Sequence, residues 1–93
     1  MNVFEAVEYV TGVTYDEIKS PKRHADIAEA RFILIFLLWQ IEEKTEHQIG
    51  KLVNRDHSSV HYAIHQMINL KEKSVKDKVD KCKFYLNTSN HGN

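Results

Sequence analysis

The chain has 93 residues, of which 42% are hydrophobic and 28% charged, the make-up of one ordinary globular domain rather than a disordered or repetitive chain. Its single cysteine, Cys82, excludes an intrachain disulfide framework and suits a reducing cytoplasm. Thirteen Lys/Arg balance thirteen Asp/Glu, but residues 1–50 hold five against nine and residues 51–93 hold eight against four, with four of the six histidines; such asymmetry suggests a face for an anionic partner, although a patchwork of solvated helix faces would also produce it.

In chain order the periodicity is helical throughout, with no alternating stretch bounded by turn residues. Val3, Ala6, Val7 and Val10 give a first short helix ended by Gly12, a residue suited to the left-handed C-terminal cap. Thr14 and Glu17 form a capping box for a helix of one or two turns ending near Lys19. Ser20 then reads as an N-cap and Pro21 as the first residue of a long helix reaching about Lys44. Ile27, Ala28, Arg31, Phe32, Ile35, Leu38 and Trp39 mark one face of it, while Ile33, Leu34, Phe36 and Leu37 fill the others. A helix apolar all round is a core helix enclosed by its neighbours, and Trp39 is expected within that core.

Thr45 and Gln48 form a second capping box, opening a short helix with Ile49, Leu52 and Val53 inward. Asn54, Arg55 and Asp56 break it, and Asp56 is placed to cap the next helix by accepting the N–H of Ser58 or Ser59. Val60, Ala63, Ile64, Met67 and Ile68 make the stripe of a half-buried helix. A last helix spans about Ser74 to Leu86, with Val75, Val79, Cys82 and Leu86 inward. The expected organisation is one all-α domain of five to six helices over residues 1–87, with a flexible tail at 88–93.

A helix of about eight residues and one of about fourteen, joined by a turn of three to four, is a helix-turn-helix arrangement. There the second helix lies in the major groove with its N-terminal residues at base edges. Arg55, His57, Ser58, His61, Tyr62 and His65 leave the face opposite the apolar stripe, and all exchange hydrogen bonds with bases or phosphates readily. From pattern alone a bland helical bundle is the default reading, since most surface helices are amphipathic.

The run from Gln48 to Ile64 carries Ile49-Gly50, Arg55-Asp56-His57, the pair Ser58-Ser59, Val60 and Ala63. It resembles the helix-turn-helix of domain IV, the C-terminal DNA-binding domain of the bacterial replication initiator DnaA, in the TrpR-like superfamily. Ser20-Pro21-Lys22-Arg23 and Ala30-Arg31 look like that domain's basic loop and the arginine-bearing start of its long helix. The resemblance implies a DnaA domain IV-like fold and sequence-specific binding of double-stranded DNA, to a DnaA-box-like sequence, in replication initiation or its regulation. It implies that Arg23 enters the minor groove, that Arg31 stands at the protein–DNA surface, and that Asp56, His57, Ser58 and Ser59 touch bases. Lys51 and Arg55 would hold phosphates, and His61 and Tyr62 complete the candidate DNA-binding set. The loop before Arg55 is one residue shorter than the initiator's and lacks its glycines, Phe32 stands where glutamine is common, and Ala25 stands where a basic residue is frequent.

Other chemistry is poorly supplied. His57, His61 and His65 recur at a metal-compatible period, but no cysteine or carboxylate is spaced to join them. Ser58 or Ser59 with a histidine is only a fragment of a nucleophilic site, and Cys82 reads as an inert core thiol. No Gly-rich phosphate loop is present to hydrolyse nucleotide. The expectation is therefore a non-enzymatic module with no cofactor and no metal. The N-terminus has no basic-then-apolar leader, and the apolar run Phe32 to Trp39 falls short of the ~20 residues of a membrane helix. A small stand-alone cytoplasmic protein, bacterial or phage-encoded and nucleoid-associated, is expected. The alternative is a protein-interaction module that keeps the helix-turn-helix as scaffold and modulates a replication factor.

Overall fold

The computed structural model describes residues 1–90, and caps written into the sequence set most of its helix starts. Thr14 with Glu17 opens α2 (Tyr15–Lys19), and Thr45 with Gln48 opens α4 (Glu46–Val53), each as a reciprocal capping box. Asn2 and Glu5 make a third, unanticipated box for α1 (Val3–Thr11), whose end Gly12 closes at φ 75°. Each box satisfies N–H groups that the first helical turn leaves without partners. α3 (Ala25–Gln40), α5 (His57–Ile68) and α6 (Lys73–Asn90) complete an all-α fold, with no strand among the described residues. None of these helices is long and apolar enough to cross a membrane.

α3 is the enclosed spine that the periodicity predicts. It buries Ile27, Ala30, Ile33, Leu34, Ile35, Phe36, Leu37 and Leu38, packing on α1 and on α5, while α6 lies mainly along α1. The inward faces of α4 and α5 supply Ile49, Val53, Val60, Ala63 and Ile64 to the same cluster. Removing this apolar surface from water is the main force holding the helices together.

Four expectations change. Ser20 does not cap a helix that starts at Pro21; its N–H donates to the Glu17 carbonyl and it ends α2, while in the loop that follows the Ser20 carbonyl accepts from Arg31 and Arg55 and the Lys22 carbonyl from Arg31. The Ser20 hydroxyl also donates to the Glu17 carbonyl, at 2.6 Å, and α3 begins only at Ala25, after His24. α3 also stops at Gln40, so Trp39 sits on its last turn, 36% exposed rather than in the core. Ile68, at the end of α5, is 52% exposed. α6 continues to Asn90, past the expected end at Leu86, and the remainder of the tail expected at 88–93 lies outside the described residues.

The turn between α4 and α5 is made without glycine. Asn54 takes the left-handed conformation, φ 58° and ψ 48°, which asparagine tolerates better than most residues. The N–H groups of Asn54 and Arg55 both donate to the Gly50 carbonyl, the latter at 2.9 Å. Glycine is instead required one turn earlier: a Cβ at Gly50 would stand 2.6 Å from the Arg55 carbonyl oxygen, so the turn folds back onto bare backbone.

Gly50→Ala is therefore expected to destabilise the domain by about 1–2 kcal/mol, the overpacking cost exceeding the gain in helix propensity. A urea-unfolding midpoint at or above the wild-type value would show that the close approach is not limiting.

Candidate nucleic-acid interface

The loop at residues 20–24 and the head of α5 are far apart in sequence, and two arginines bring them together. Arg31, on the second turn of α3, is 6% exposed and is the one buried charged side chain among the described residues. Its Nε donates to the Ile18 carbonyl at 2.7 Å, and its Nη2 to the carbonyls of Ser20 at 3.3 Å and Lys22 at 3.2 Å. Arg55, in the α4–α5 turn, donates from Nη2 to the same Ser20 carbonyl at 2.8 Å and from Nη1 to Asn54 at 3.0 Å and Val53 at 3.4 Å. The planar guanidinium suits this work because its donors have fixed directions. Burial, and then the charge of Arg55, lower the Arg31 pKa, but an arginine keeps its proton in such a setting.

Two further bonds tie the same region. The Tyr15 hydroxyl donates to the Leu52 carbonyl at 2.6 Å, and Asn54 Nδ2 approaches the Lys19 carbonyl at 3.4 Å. Both join the α2 segment to the helix-turn-helix. The loop that carries Arg23 is thus fastened at its base, while Arg23 itself is exposed.

An open cleft of about 640 Å³ separates that loop from the first turns of α5. Arg23, Arg31, Arg55, Asp56, Ser58, Ser59 and Tyr62 line it, with Phe32 and Ile35 as its apolar part. Seven of the ten sequence-predicted residues therefore meet around one space. A second cleft of about 470 Å³, at the outside of the turn, is lined by His47, Lys51, Asn54 and His57 with Arg55 and Asp56. His61 belongs to neither; its Nδ1 lies 2.6 Å from Glu46 Oε2 across the α4–α5 junction.

At the head of α5, Asp56 Oδ1 accepts from the Ser59 N–H at 2.7 Å. That backbone bond first, and the Ser59 hydroxyl second, hold the Asp56 carboxyl below the usual carboxylate range. The cap is accordingly present at neutral pH and is lost only as the pH falls through that lowered value. Ser58, Ser59, His57 and Tyr62 are exposed around it, Tyr62 at 59%, with the Tyr62 ring edge-on to Phe32 at 6.4 Å.

Arg31, for which the resemblance implies a place at the protein–DNA surface, lines the cleft as a buried brace, and Arg55 is half-buried with both terminal nitrogens engaged. A clue to the first was present: an arginine on the apolar face of a core helix needs an internal partner. Reasoning from sequence missed the Glu46–His61 pair and the stacking of His47 on His57 at 4.6 Å. Cys82 is buried with Sγ 3.8 Å from the Ala6 carbonyl oxygen, and burial pushes its thiol up to about 11, which keeps it protonated and unreactive. Among the described residues no group of three or more His, Cys, Asp or Glu is arranged to hold a metal.

Residues 1–67 match the family model described as the bacterial DnaA protein helix-turn-helix. The chain is also 40% identical over 60 residues to the chromosomal replication initiator protein DnaA of Streptococcus equi subsp. zooepidemicus (strain MGCS10565) and to that of S. equi subsp. equi (strain 4047). Those alignments cover 63% of this chain and 13% of each relative, so the chain corresponds to a small part of the initiators' length.

The brace has a measurable consequence. Arg31→Lys keeps the charge but loses the fork, and is expected to cost about 1–3 kcal/mol in stability, since buried carbonyls lose their donors. Faster amide exchange in residues 20–24 should accompany it. Unchanged stability and unchanged exchange would remove Arg31 from the frame.

Proposed function

This chain belongs to the bacterial DnaA helix-turn-helix family, and from that membership and the cleft geometry we propose that it binds double-stranded DNA sequence-specifically. The observation that carries the reading is the convergence of the Arg23 loop and the head of α5 on one open cleft. A single duplex then meets α5 in its major groove and Arg23 in the adjacent minor groove. A narrow A·T-rich minor groove concentrates negative potential and attracts an inserted guanidinium.

The roles follow from exposure and hydrogen-bonding capacity. Asp56 has a second carboxylate oxygen beyond its cap bond, able to accept from a cytosine amino group. His57 donates to a purine N7, and Ser58 and Ser59 contact bases or the flanking phosphate, close to the positive end of the α5 dipole. Lys51, His61 and Tyr62 meet the backbone and set register more than sequence. We assign Arg31 and Arg55 to the frame, because their guanidinium nitrogens already serve carbonyls. No reacting group enters this scheme, and the module acts by occupancy.

The relatives carry the name chromosomal replication initiator protein. On that basis we place this chain in replication initiation or its regulation, as a module that occupies DnaA-box-like sites, bacterial or phage-encoded and working in the cytoplasm at the nucleoid. The equal count of thirteen basic and thirteen acidic residues favours the alternative of a protein-interaction module acting on a replication factor, since DNA-binding domains are commonly basic.

Fluorescence anisotropy with a labelled box-like duplex and a scrambled control, at about 50 and 200 mM salt, separates the two. Preference for the box, with a log–log salt slope corresponding to a few phosphates, is expected. Arg23→Ala should weaken box binding by about 1–3 kcal/mol. Equal binding by Arg23→Ala and wild type would end the minor-groove role, and no binding at low salt would leave the protein-interaction reading in its place.

A further inference from the structure

The outer seam between α4 and α5 holds more imidazole than the proposed base contacts use. His47 in the first turn of α4 stacks on His57 in the first turn of α5, ring centroids 4.6 Å apart. One turn further along α5, His61 and His65 approach at 4.4 Å. All four are exposed. Lys51 follows His47 by one turn on α4 and lines the same cleft at the elbow. Resting on the DNA-binding reading above, we propose that this seam is a second, proton-dependent contact with the phosphodiester backbone of duplex DNA, formed by His47, Lys51, His61 and His65 alongside His57.

The spacing fits that occupant. Eight residues of helix separate His57 from His65, a span of about 12 Å, close to the ~12 Å width of the major groove. With His57 at the groove floor, His65 reaches toward the strand at its lip, while His47 and Lys51 flank the groove on the α4 side. Imidazole is the side chain that changes charge between about pH 5 and 8. Two protonated rings this close repel each other, and a phosphate beside the pair offsets the repulsion. DNA binding therefore takes up protons, and linkage requires affinity to rise as pH falls.

The surrounding charges set the size of the effect. Glu46 of α4 meets His61 at 2.6 Å, so a carboxylate already faces that ring. Arg55 and Asp56 border the elbow cleft from the turn, with the Asp56 carboxylate accepting from Ser59. On the opposite flank of α5, α3 presents Arg31, held by backbone carbonyls, and Glu29, paired with Lys78 of α6. Of the four seam imidazoles, only His61 is paired with a carboxylate among the described residues.

The test is the affinity of the full chain for the box-like duplex at about pH 7.5, 6.5 and 5.5 at constant salt. Wild type is compared with the His47→Gln/His65→Gln double variant, and circular dichroism is recorded at each pH. Wild type should bind about tenfold or more tightly at the lowest pH than at the highest, corresponding to an average uptake of about half a proton or more over those two pH units. The double variant should lose most of that dependence while keeping its helical signal. NMR titration of the imidazoles, free and DNA-bound, should show the His47 and His65 transitions moving to higher pH in the complex. Tight binding with no pH dependence, or an equal dependence in wild type and double variant, would overturn the seam contact while leaving the DNA-binding reading intact. Absence of binding at every pH would overturn that reading itself, and the seam contact with it.

Discussion

The carbonyl oxygen of Ser20 receives two guanidinium groups, Arg31 from the spine helix and Arg55 from the helix-turn-helix elbow. Three pieces meet at that atom: the core, the loop bearing Arg23, and the turn that leads into α5. A shift in any one would break a charge-assisted bond to the others, and bonds of this kind are among the stronger ones available to a folded chain. The relative position of the two elements that border the cleft is thus set by backbone geometry at their base. Arg23, Ser58 and Ser59 are exposed and take no part in the Ser20 junction.

Local features of the fold were legible in the residues. The boxes at Thr14 and Thr45 and the cap at Asp56 join groups three residues apart, so spacing along the chain is enough to find them. The enclosed character of α3 follows from a run apolar on every side. The Ser20 junction was not legible, because its bonds span 11 and 35 residues and end on a backbone carbonyl, an atom every residue possesses. The same blindness produced the misplaced start of α3. Proline and serine at 20–21 have the composition of a helix N-terminus, and only the competing claims of Arg31 and Arg55 on nearby carbonyls reveal a loop. In the candidate site, the family motif singles out Arg23 and the stretch from Arg55 to Tyr62, whereas the cross-helix partners Glu46 and His47 carry no motif.

Net charge was a poor guide for a related reason. Equal numbers of acidic and basic residues describe a sum, whereas an anionic partner meets one face. The first half of the chain carries the acidic excess, on α1 and α2 among other places, and two of the three arginines that line the cleft have internal hydrogen bonds. Such arginines still contribute positive potential to the cleft they line, so one residue supplies both structure and field.

Asn54 makes the left-handed step of the elbow in a position where glycine would be easier. Glycine would accept the angle at no steric cost, yet it would also widen the range of conformations open to the unfolded and partly unfolded chain. Asparagine narrows that range, and the contact of Gly50 with the Arg55 carbonyl closes it from the other side. The two helices consequently stand at one angle before any partner arrives. A surface already in its bound shape surrenders little freedom on association, and advantages of this type are expressed in how long a complex lasts more than in how fast it forms.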